Sequence, residues 1–153
     1  MSNEVDMEWI RIVCPGKAFA IGKPDKWSAT GMDGRPNLVH IQAPEGGVRI
    51  YLTVSLNPKS PGMTLADFAD RRLSLVDQNL QVRSEVEQQD GVIFQQYYGL
   101  AEGESSEEHF IYGAYESEEI RGGFFSFTLV TSPEMFEENR SFFMRWLNSV
   151  HTA

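Results

Sequence analysis

Cysteine is nearly absent: Cys14 is the single Cys in 153 residues. One thiol makes no internal disulfide, and with no CxxC or Cys/His cluster there is no zinc framework. A reducing compartment is the plain expectation. Basic residues are scarce too, 13 Lys and Arg against 22 Asp and Glu, for a formal net charge of −9. Nucleic acids and anionic membrane surfaces both select for surplus cations, so this balance argues against either as partner. No apolar run approaches the ~20 residues that a membrane helix needs. Met1–Glu8 is acidic and polar, with neither the basic n-region nor the apolar h-region of a signal peptide. A cytoplasmic protein is expected.

The arrangements that chemistry needs are missing as well. There is no G-x-S-x-G elbow, no Walker A loop and no G-x-G-x-x-G after a strand. His40, His109 and His151 fall in different elements, so no two of them share a helix face for zinc. No enzyme, cofactor or metal is expected. Cys14 has no basic neighbour in sequence to lower its pKa and reads as a buried structural thiol. His40 lies between Val39 and Ile41 in a strand and reads as structural. His109 follows Glu107 and Glu108; these could raise its pKa, but edge-strand polarity is the simpler reading. His151 belongs to a disordered tail. Glu102, Glu104, Glu107 and Glu108 crowd one loop without the spacing of a calcium loop, so they read as a solvated acidic hairpin. Asn139-Arg140-Ser141 matches a glycosylation sequon by chance, inside a helix.

What is present is strand. Val92–Leu100, His109–Tyr115 and Gly123–Thr131 are rich in aromatic and β-branched residues, and loops Ala101–Glu108 and Glu116–Gly122 divide them. Trp9–Cys14 is a short strand stopped by Pro15-Gly16. Phe19–Gly22 resumes it, Pro24 ends pairing, and Trp27 folds back onto the core. Gly31–Asn37 reads as loop, Leu38–Ala43 as strand. Val48–Leu56 alternates cleanly, with Val48, Ile50, Leu52, Val54 and Leu56 on the core face. Gln81–Glu87 is a further strand.

Two stretches are helical. Leu65, Phe68, Ala69, Leu73, Val76 and Leu80 recur at helical spacing, behind a Thr64 N-cap with Asp67 three residues on. Arg71 and Arg72 are expected to face water, and the helix to fray near Asn79. Ser132-Pro133-Glu134 opens a second helix whose apolar stripe is Phe136, Phe143, Trp146, Leu147 and Val150, with Phe142 at its edge. The order strands, helix, strands, helix predicts a single α+β domain, 1–153, in which an antiparallel β-sheet is sandwiched by helices.

Three phrases resemble the PsbP-like superfamily. Phe19–Trp27 is similar to its opening F-x-(I/L)-x-x-P-x-x-W, Thr64–Ala69 to its (S/T)-L-x-(D/E)-F helix start, and Phe136–Val150 to its closing apolar helix. That group includes PsbP, the Ran-release factor, the DcrB-type lipoproteins and, nearby, the Eag-type effector chaperones. The resemblance implies the sandwiched sheet and a mostly non-enzymatic, protein-binding role with no catalytic residues to carry over. The expected function is therefore a cytoplasmic protein-binding domain, an adaptor, secretion chaperone or immunity-type factor. The alternative is a small-molecule binder, or a minor enzyme, with a pocket between sheet and helix; a structural homodimer is a third reading. Tyr51, Tyr97, Tyr115 and Phe124 are the candidate partner-binding residues, as an aromatic patch on the sheet face opposite the Val48–Leu56 core row, provided that no helix covers it.

Overall fold

The computed structural model describes residues 9–32, 34–44, 49–101, 103 and 105–153. Strands β1 (Trp9–Val13) and β2 (Ala20–Pro24) form an antiparallel hairpin in which Trp9 opposes Pro24 and Val13 opposes Ala20. Pro24 ends β2 as expected, and the turn after it returns Trp27 to the core, where it is buried. The remaining strands build one antiparallel sheet. They are β3 (Ser28–Met32), β4 (Arg35–Gln42), β5 (Tyr51–Pro58), β6 (Leu80–Val82), β7 (Glu87–Gln89), β8 (Val92–Gly99), β9 (Glu108–Tyr115) and β10 (Gly123–Val130). Their order across the sheet is β3-β4-β5-β10-β9-β8-β6, and β7 also pairs with β8.

The stretch Gly31–Asn37, expected as loop, is a hairpin instead. Ser28, Ala29 and Thr30 pair with Gln42, Ile41 and His40, and Gly34 turns the chain at φ +76°. Small polar residues at an exposed sheet edge carry no apolar alternation, so the sequence gives no strand signal there. The Val48–Leu56 strand is recovered from Tyr51 onward. Leu52 and Val54 are buried, and Tyr51, Thr53 and Ser55 lie on the opposite face; Val48 lies outside the described residues.

Helix α1 (Leu65–Ser74) starts where the sequence places it. Thr64 Oγ1 accepts from the Asp67 N–H at 3.1 Å and Asp67 Oδ2 accepts from the Thr64 N–H at 3.1 Å, a complete capping box. It ends earlier than expected, at Ser74, because Asp77 turns the chain away: its Oδ1 accepts from the Asn79 N–H and its carbonyl from the Leu80 N–H. The closing helix is two helices, α2 (Pro133–Glu138) and α3 (Arg140–Leu147). Ser132 caps the first through the Met135 N–H. The break is at Asn139, φ −126°, whose side-chain amide donates to the Met135 carbonyl at 3.0 Å. Asn139 is buried at that break, so the sequon is out of reach of any glycan.

Strand alternation fills both faces of the sheet. One face carries Leu52, Val54, Phe94, Ile111, Phe125 and Phe127, covered by α2, α3 and the β1–β2 hairpin. Phe19 meets Phe125 edge-on at 5.0 Å and Phe136 meets Phe94 at 5.8 Å. The other face carries Tyr97, Phe110 and Val130, and α1 lies across it, against β8, β9 and β10. An α+β antiparallel sheet between helices is the architecture the sequence predicts.

Candidate functional site

The aromatic patch is divided between the two faces. Tyr51, Tyr97 and Phe124 share the α1 side, but Tyr115 points the other way. It pairs with Phe125 across β9 and β10 and stacks on it at 5.2 Å in the main core. The α1 side is not open: Phe68 stacks on Phe124 at 5.2 Å, and Tyr97 and Phe124 are buried. Arg72 completes the closure. Expected at the water surface, it turns onto the sheet, donates to Thr128 Oγ1 at 2.9 Å and lies 4.9 Å over the Tyr112 ring. Burial pulls its pKa down, while the phenols of Tyr112 and Tyr97 act in the opposite sense. A guanidinium placed on an aromatic face gains ~1 kcal/mol or more when desolvated, which offsets its removal from water.

The histidines do not converge. His40 is half-buried, 2.9 Å from Thr53 Oγ1, and burial lowers its pKa. His151 is ordered rather than a loose tail: it bridges Ala20, and its Nδ1 lies 2.7 Å from the Ser149 carbonyl. Cys14 is buried as expected, with Sγ 3.2 Å from the Pro36 carbonyl oxygen. In the acidic loop, Glu107 is exposed and Glu108 pairs with Arg49; Glu102 and Glu104 lie outside the described residues.

His109 is the surprise. Its strand, β9, is interior, and the ring is buried under Phe136. Nδ1 lies 3.2 Å from the Thr131 carbonyl and Nε2 3.0 Å from Gln96 Oε1. Gln96 in turn donates to Glu87 at 2.7 Å, and Glu87 accepts from Arg140 at 3.1 Å. A polar chain thus runs Arg140–Glu87–Gln96–His109–Thr131 beneath α2. Burial pushes the Glu87 pKa up, but the bonds from Gln96 and Arg140 outweigh it, and the carboxyl titrates below its ordinary range. Burial is also the largest influence on His109 and lowers its pKa, against the Thr131 carbonyl, which raises it.

A depressed His109 pKa has a stability consequence. The unfolded ring takes its proton near the ordinary value of ~6.5, the folded ring only lower. The stabilisation from a neutral His109 is therefore complete above pH ~6.5 and is lost as pH falls from there through the folded value. We expect urea midpoints to drop between pH 7.5 and 5.5, and His109→Gln to flatten that slope, although His40 contributes in the same direction. An unchanged slope in His109→Gln would rule the ring out as its source.

The described surface has one strand with several large apolar side chains left open. On β1, Trp9 is 42% exposed, Ile10 41% and Val13 49%, and among the described residues nothing pairs with its outer edge. Beneath it, Trp9 packs at 5.4 Å on Phe142 and Trp146 donates to the Gly22 carbonyl at 2.8 Å, so the hairpin is held rigidly on α3. The other open apolar residues are spread over a helix end, two loops and two strands: Leu75, Val82, Val86, Tyr98 and Leu100. Of the two end strands of the sheet, β3 offers mainly small side chains, Ser28, Ala29 and Thr30, and the three-residue β6 offers one open apolar side chain, Val82. Open strand edges are templates for pairing, and natural proteins usually guard them. The sequence places β1 as a strand but holds no sign of which edge stays free.

No family model matches the sequence, and no curated protein does. Among solved structures, this chain is similar to cyanobacterial PsbP (CyanoP) from Synechocystis sp. PCC 6803, determined in solution. The TM-score is 0.58 and the identity 16%, over 100% of this chain and 97% of that one. With the helix-covered antiparallel sheet already traced, this full-length correspondence shows that the chain has the PsbP-like fold.

Proposed function

We propose that this chain is a non-enzymatic, cytoplasmic protein-binding domain that docks an extended segment of another protein along the outer edge of β1, as an adaptor, secretion chaperone or immunity-type factor. The observation that carries this is the edge itself, five residues long with Trp9, Ile10 and Val13 half open. An added strand takes its affinity from main-chain hydrogen bonds and its specificity from such side chains. Covering the exposed half of each would contribute about 1 kcal/mol. The test is capture from the native lysate, wild type against Ile10→Ser/Val13→Ser. Both positions are already half in water, so the variant keeps its fold, checked by circular dichroism. Loss of about two such anchors weakens binding roughly tenfold or more, and the partner band should fade. A band of equal strength on the variant overturns the reading.

A second reading has one observation in its favour. A cavity of about 270 Å³ opens beside α2, lined by Tyr98, His109, Val130 and Thr131 among others. The buried Thr131 hydroxyl has no hydrogen-bond partner. A small polar ligand seated there would raise the melting temperature in a metabolite panel, because it stabilises only the folded state.

A further inference from the structure

We propose that the cavity beside α2 binds a small free amine, an ammonium group on a compact apolar body. This rests on the ligand-binding reading above and adds the ligand's chemistry; it does not depend on β1. The cavity, about 270 Å³, lies where β10 runs out into α2, beside the paired ends of β8 and β9. At a water's share of ~30 Å³ it takes roughly nine non-hydrogen atoms. Val130, Pro133 and Tyr98 supply apolar lining. Sites for small ligands combine such a lining with a few placed polar groups that fix orientation.

Two features of the lining call for an ammonium. The first is Thr131, which is 3% exposed and whose hydroxyl, among the described residues, has no hydrogen-bond partner. A buried hydroxyl left unpaired carries its desolvation cost, and a ligand that completes its bond recovers it. The second is charge. Among the described residues, Glu107, Glu108 and Arg49 line the cavity. The Arg49 guanidinium pairs with Glu108, which leaves Glu107 to set a negative balance. His109 adds no positive charge, because burial lowers its pKa and keeps the ring neutral at pH 7.5. Arg83 lies 5.6 Å from the centre of the Tyr98 ring, so the carboxylates, not that ring, hold the ammonium. The net charge of −9 attracts cations to the chain and repels anions. An ammonium has three donors and no acceptor, enough to reach Thr131 Oγ1 and a carboxylate together. A neutral alcohol satisfies Thr131 alone, and a carboxylate ligand meets charge of its own sign.

The test titrates the full chain at pH 7.5 with phenethylamine, phenethyl alcohol and phenylacetate, read by amide shifts in NMR. Phenethylamine should move the Tyr98, His109 and Thr131 amides with a Kd on the order of 1 mM, the scale for a ligand this small. The alcohol should bind roughly threefold more weakly or worse, and phenylacetate weakest. Thr131→Val keeps the shape and removes an unpaired buried hydroxyl, so it should melt no lower than wild type and bind both amine and alcohol more weakly. Glu107→Gln, at an exposed position, should spare the alcohol and bring the amine down to it. An alcohol or phenylacetate as tight as the amine, and weakened in Thr131→Val, would overturn the ammonium and leave the ligand-binding reading standing. Amine shifts that neither variant changes would place the amine outside the cavity and overturn the site. A peptide Ala-Ala-Lys-Ala-Ala, blocked at both ends, that binds about tenfold tighter than phenethylamine would make the ammonium a partner's lysine and overturn the free ligand. No shift from any probe, with a metabolite that raises the melting temperature of wild type but not of Thr131→Val, would overturn the amine alone. No shift and no such metabolite would end both.

Discussion

Trp146→Ala is expected to lower the urea midpoint by roughly 2 M, at the typical slopes of small domains. The ring is almost fully buried and sits at the meeting point of three elements. It lies 5.5 Å from Trp27, 6.2 Å from Trp9 and 6.0 Å from Phe142, and its Nε1–H donates to the Gly22 carbonyl at 2.8 Å. Truncating a buried Trp costs ~3–5 kcal/mol, a large fraction of the 5–15 kcal/mol that holds such a domain. The loss is also directional. Trp146 joins α3 to the β1–β2 hairpin, so the hairpin should loosen first and any capture through β1 should go with it. Trp146→Phe keeps most of the packing and removes the N–H, and should cost ~1–2 kcal/mol. A midpoint for Trp146→Ala within 0.5 M of wild type, on the scale of roughly 2 kcal/mol per M, would mean that the hairpin is held by something else.

Gly113→Ala is the second large effect. Gly113 lies in β9, paired on both sides, opposite Phe94 in β8 and Phe127 in β10. A Cβ there would stand only 2.8 Å from Phe94 Cβ and 2.9 Å from Phe127 Cε1, and would run into the Ile93 carbonyl oxygen. A ring can tilt, but a carbonyl inside a paired strand moves only with its sheet. Overpacking of this kind costs 1–3 kcal/mol in ordinary cores, and about 3 kcal/mol or more is expected where backbone is the obstacle. The readouts are soluble yield and the urea midpoint. Wild-type values for both would mean that β8 and β9 are spaced more widely than described.

Most of the architecture was legible because it rests on local chemistry. The capping box at Thr64 and Asp67, the Ser132-Pro133 helix start, and the aromatic density of β8 to β10 each declare an element within a few residues. What the sequence hid depends on residues far apart. The face of Tyr115 follows from its register with Phe125, which the Glu116–Gly122 loop sets and alternation within one strand cannot. Arg72 reads as a solvent residue until α1 is laid across Tyr112. His109 looks like edge polarity until β8 and β10 flank it and its ring nitrogens lie against the oxygens of Gln96 and Thr131, of which the neutral ring can donate to one. The β3 strand is invisible because most of its residues are small and, among the described residues, it pairs only with β4. The same non-locality hid the candidate site. Trp9–Cys14 reads as one strand among several, and only the finished topology shows that, among the described residues, nothing pairs with the outer edge of β1.

The most direct measurement is hydrogen–deuterium exchange of the protein with and without the partner it captures. Binding along β1 predicts that the Trp9–Val13 amides slow on complex formation while those of β9 and β10, already deep in the sheet, stay as they were. Protection centred elsewhere, with Trp9–Val13 exchanging as fast as in the free protein, would contradict it.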